Sequence, residues 1–193
     1  MFMCSPKSLL TVVIVAVLLP VSTGTAFAAE DHERFYGSYV GSGTAERVIE
    51  NVTEQRDLDV TIEAYKNGGF TIKWITVVRG ADGARTGDDV KRRSVEENFI
   101  PLEDKEDVFI LAPKGGLFKK AELPNPLLGE PMRWATLEKG EMTVYSMAIG
   151  DSGSSELQVY RRSLTEKGMD ISFLRMRDEI VELRMKGTLV RAK

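Results

Sequence analysis

The chain has 193 residues, 28% of them charged, with 26 Lys and Arg against 29 Asp and Glu. A net charge of −3 lacks the basic footprint that nucleic-acid partners require. One cysteine and one histidine argue against a disulfide framework, serine-histidine or cysteine-histidine catalysis, and a zinc or copper site.

Residues 1–28 read as a secretory signal. Lys7 supplies the positive start, Leu9 to Leu19 form an apolar core, and Pro20 breaks it. Ala26-Phe27-Ala28 has the small-x-small form that signal peptidase accepts. The core would span roughly 16 Å as a helix, about half of a ~30 Å hydrocarbon layer, so cleavage is expected rather than a membrane anchor. Cys4 would leave with the signal. Residues 29–193 then form one domain of net charge −4, since only Lys7 is lost, in a periplasmic or secreted setting.

The mature part opens with Gly37, Gly41 and Gly43 set among Phe35, Tyr36 and Tyr39. Glycines so placed predict a first strand that bends sharply and meets its neighbours closely. Leu58, Val60, Ile62 and Ala64 then alternate with polar residues up to Lys66-Asn67-Gly68-Gly69, and Phe70, Ile72 and Trp74 alternate after it. Two alternating runs around Asn-Gly predict a β-hairpin.

Gly80 to Asp89 reads as a polar turn-rich loop. Lys114 to Pro131 is a longer connection that holds three prolines yet also Leu117, Phe118, Leu127 and Leu128. A segment carrying its own apolar side chains is expected to pack across a barrel mouth, as a plug or as a gate over a ligand. Beyond it, alternating runs at 132–138, 142–149, 156–163, 169–176 and 180–190 are separated by short turns. The whole predicts an all-β, antiparallel up-and-down barrel of eight to ten strands, closed because closure removes exposed edges. Charges along one face, as in Glu182, Arg184 and Lys186, favour a soluble barrel over a membrane-spanning one.

The pattern Gly37-x-Tyr39-x-Gly41-x-Gly43 resembles the opening of the lipocalin superfamily, part of the calycins, and of the nitrobindin-like haem barrels related to it in shape. Those chains begin with Gly-x-Trp, and Tyr39 stands where the tryptophan usually stands. The resemblance implies that this ring closes one barrel end beneath a basic side chain of the last strand. Arg184 and Arg191 both suit that part, and Arg184 with Tyr39 is the candidate closing pair. The haem barrels hold iron through a late histidine; here the single histidine is His32, near an expected mobile terminus, so no haem or other cofactor is expected.

Of the acidic clusters at Asp88-Asp89, Glu96-Glu97 and Glu103 to Asp107, the last reads as a solvated turn before a strand, with calcium binding there the open alternative, and adjacent strand residues such as Glu96 and Glu97 cannot both enter one cavity. The candidate cavity lining is Phe70, Ile72, Trp74, Met142, Val144, Met169, Ile171 and Phe173. Arg161 and Arg175 would reach the same cavity if the apolar members of their strands face inward, offering a two-point contact to an anionic head group. The expected function is non-covalent binding of a small apolar or amphipathic molecule, a lipid or fatty acid for example. Two rivals stay open: a filled barrel acting on a protein partner in envelope assembly or inhibition, and a cavity isomerase or cyclase.

Overall fold

The computed structural model describes residues 32–80, 83, 90–113 and 124–192, with Glu106 described by its backbone alone. The signal segment, Asp88-Asp89, Leu117 and Phe118 lie outside the described residues.

Ten strands follow one another: β1 (Gly37–Arg47), β2 (Val52–Tyr65), β3 (Gly69–Val78), β4 (Lys91–Leu102) and β5 (Lys105–Leu111). Then come β6 (Met132–Glu138), β7 (Glu141–Ile149), β8 (Ser155–Leu164), β9 (Gly168–Arg177) and β10 (Ile180–Arg191). Each pairs antiparallel with the next, and β10 returns to β1 to close the barrel. The expected hairpin is β2–β3, with Ala64 opposite Phe70 and Asn67 and Gly68 at φ 58° and 72° in the turn. Those left-handed angles are why Asn-Gly stands there.

The seam between β1 and β10 explains the opening glycines. A Cβ on Gly41 would lie 2.2 Å from the Thr188 carbonyl oxygen, and one on Gly43 would lie 2.6 Å from that of Lys186. Any side chain at either position would push the seam apart.

Side chains alternate in and out, so each strand sends every second residue to the interior. One end of the barrel is packed solid. Phe35, Tyr39, Ile62, Phe70, Ile72, Phe99, Phe109, Met142, Met169 and Leu189 are all essentially inaccessible there. His32 begins a short helical turn (His32–Phe35) that folds over this end, its ring 5.3 Å from Phe109 and 5.7 Å from Phe70. The expected mobility of His32 is therefore corrected: three aromatic neighbours hold it in the core.

Outer faces differ around the circumference. On β1, β2 and β10 they carry charge, as in Asp59, Glu63, Arg184 and Lys186. On β5 to β9 a continuous row runs through Ile110, Trp134, Tyr145, Val159 and Leu174, in register from strand to strand. Trp134 and Tyr145 stack there with centroids 5.0 Å apart. Among the described residues no helix is long and apolar enough to cross a membrane.

Candidate functional site

The end opposite the packed core stays open. It encloses a cavity of about 930 Å³, within the range of small-molecule sites. The alternation of β2, β3, β9 and β10 gives it apolar walls of Leu58, Val60, Trp74, Ile171, Phe173, Leu183 and Met185. The aromatic members lean on Tyr160, whose ring centroid lies 5.8 Å from that of Trp74 and 4.5 Å from that of Phe173.

Cations crowd this interior. Arg56, Arg93, Arg162 and Arg175 line the cavity, and Lys91 and Arg47 stand at its mouth. Three of these six have carboxylate partners among the described residues. Arg56 donates to Glu54 at 2.7 Å, Arg47 to the same carboxylate at 3.2 Å, and Arg175 pairs with Glu182 at 3.0 Å. Burial would push Glu54 up, but the hydrogen bonds from Arg56 and Arg47 hold it below the usual carboxylate range. Deeper in the wall, Arg133 forms an ion pair with Glu97, both nearly inaccessible. Burial lowers the Arg133 guanidinium from its ordinary value, and its neighbour Arg93 lowers it further.

Arg162 differs from these. It lies on β8 opposite Met142 and Ile171, where the packed core gives way to the cavity floor, and it is 5% exposed. Its guanidinium carbon sits 5.9 Å from the Trp74 centroid and 6.0 Å from that of Tyr160. Among the described residues its Nε and Nη1 have no hydrogen-bond partner; the Nε atoms of Arg56 and Arg175 share that lack, but those two side chains have carboxylate pairs. Burial pushes its pKa down to about 10, with Tyr160 opposing the shift, so it stays charged at neutral pH. Tyr160 donates its hydroxyl to Gln158 Oε1 at 2.6 Å, and burial raises its pKa.

Of the sequence-predicted lining, Trp74, Ile171, Phe173 and Arg175 face the cavity. Phe70, Ile72, Met142, Val144 and Met169 are instead fully packed in the closed end. Arg161 also borders the cavity, but it alternates opposite to Tyr160 and Arg162 along β8, and its side chain pairs with Glu141 at 3.6 Å. The face it shares holds Leu157 and Val159, whereas Glu156 and Gln158 share the face of Arg162, so an apolar-inward reading of β8 favours Arg161. The closing pair is corrected as well. Arg184 points outward and donates to Glu46 at 2.7 and 3.0 Å, while Arg191 lies 5.4 Å from the Tyr39 centroid.

Of the segment expected to act as plug or gate, the described residues include only the end from Pro124 to Pro131. Leu127 and Leu128 sit in a short helical turn (Pro126–Leu128) and are 73% and 74% exposed. Replacing both with serine is expected to leave the thermal midpoint within ~2 °C of the parent, because exposed substitutions change stability little. A fall of several degrees in a melting scan would contradict their exposure.

No family model matches the chain, and no curated protein is similar to it. Among solved structures, that of the S-type phycobiliprotein lyase of Guillardia theta is similar over 85% of this chain and 92% of its own. It has a TM-score of 0.39 and 12% identity.

Proposed function

We propose that this chain is an exported, calycin-like barrel that holds a small apolar or amphipathic molecule in its open half. The single observation that supports the reading is the cavity of about 930 Å³, walled by Trp74, Phe173, Leu58 and Met185. A filled barrel would have no such space, so the rival based on solid packing accounts for one end of the molecule but not the other. Transfer of an apolar body onto these walls contributes about 25 cal/mol for each Å² removed from water. The signal-like residues 1–28 are the whole support for export.

The test uses the two tryptophans, one on each side of the wall. In a Trp134→Phe variant, Trp74 inside the cavity is the sole tryptophan. N-phenyl-1-naphthylamine, an uncharged fluorescent probe, should then show saturable energy transfer from Trp74. Transfer that appears only in a Trp74→Phe variant, from Trp134 on the apolar outer face, would sink the container reading.

A further inference from the structure

Resting on that reading, we infer that the ligand is an anionic amphipath that binds head first, its carboxylate or phosphate seated on Arg162 at the cavity floor. Charged groups are not buried without partners unless something else supplies the counter-charge, because desolvating a lone cation is costly. Three arginines of the cavity and its wall follow this rule. Arg56 has Glu54, Arg175 has Glu182, and the neighbouring Arg133 has Glu97. Arg162, the deepest, has no ion pair among the described residues, and its neighbours are the rings of Trp74 and Tyr160.

Two of its nitrogens lack any acceptor. Tyr160 supplies no counter-charge, since its hydroxyl keeps its proton and donates it to Gln158. A guanidinium held beside aromatic faces with free N–H groups suits a planar or tetrahedral oxyanion, which accepts from more than one N–H at once. The apolar walls above it, from Phe173 to Leu183, then take the body of the same molecule. A ligand inserted the other way would leave the buried charge of Arg162 uncovered.

The probe is 8-anilinonaphthalene-1-sulfonate, which has the ring system of N-phenyl-1-naphthylamine plus an anionic group. In the Trp134→Phe protein the anionic probe should bind at least about tenfold more tightly than the neutral one. Arg162→Met should erase that preference while leaving the neutral probe within about twofold, and Arg162→Lys should keep part of it. Melting temperature checks that each variant is folded. Equal affinity for the two probes, or a preference that survives Arg162→Met, overturns the anionic-head assignment while leaving the container reading standing. Failure of both probes to bind overturns both. Displacement of the bound sulfonate by dodecanoate but not dodecyl phosphate identifies a carboxylate head, and the converse identifies a phosphate head. Equal displacement by dodecanol overturns the inference.

Discussion

Replacing Tyr39 with alanine is expected to lower the stability of the barrel by about 3–5 kcal/mol, the range for deleting a large buried aromatic. The ring is 1% exposed and belongs to the closed-end core. Its hydroxyl donates to the Phe35 carbonyl at 2.9 Å and accepts from Arg191 Nη2 at 3.0 Å. Arg191 also donates to the Tyr36 carbonyl at 2.5 Å, so one side chain of the last strand ties down the segment leading into the first. Tyr39→Ala removes the packing and both hydrogen bonds at once, whereas Tyr39→Phe removes only the hydrogen bonds and should cost about 1–2 kcal/mol. Arg191→Ala should behave like Tyr39→Phe, and the exposed Arg184→Ala should change little. Urea denaturation of the four variants checks the order. A loss for Arg184→Ala equal to that for Arg191→Ala would show that the closure is misassigned.

The glycines and the Asn-Gly turn were readable because each answers a backbone demand. Asn67 adopts a left-handed angle set locally in its turn, whereas Gly41 and Gly43 make room for carbonyl oxygens of β10, so their spacing signals a close approach without naming the partner strand. The meander was readable for a related reason. On β2 and β10 one face is charged, so the alternation of Leu58, Val60 and Ile62 with Asp57, Asp59 and Thr61 leaves one choice for the interior. That signal misleads on β8, where the outward face carries Leu157 and Val159 and the inward face carries Glu156 and Gln158 beside Tyr160. A strand more apolar outside than inside gives its arginines the wrong direction, so Arg161 reads as the inward member in place of Arg162. The same false direction hid the Arg133–Glu97 pair, since Arg133 stands beside Trp134 and the tryptophan looks like the inward member. Trp134 instead belongs to the outer apolar row. His32 was misread because terminal position says nothing about the aromatic cluster that receives it.

The interior charges allow a second large effect, in which one kind of substitution has opposite signs at two arginines. Arg133→Met should destabilise the protein by about 3–5 kcal/mol, because it leaves Glu97 buried without its counter-charge. Glu97 is 9% exposed, and its Oε2 already lacks a hydrogen-bond partner, so nothing beside it takes over from Arg133. Arg162→Met removes a buried cation that no carboxylate balances, and in the absence of ligand it should stabilise the barrel, on the order of 1–3 kcal/mol. Methionine covers much of the same volume at both places, so packing loss is similar and the charge decides the sign. Ligand should reverse the second result, since an anion bound on Arg162 stabilises only the parent, in proportion to the logarithm of its concentration over Kd. Melting temperatures of the three proteins, with and without 8-anilinonaphthalene-1-sulfonate, read all of these effects. If Arg162→Met proves as destabilising as Arg133→Met in delipidated protein, then Arg162 has an internal partner and is part of the scaffold.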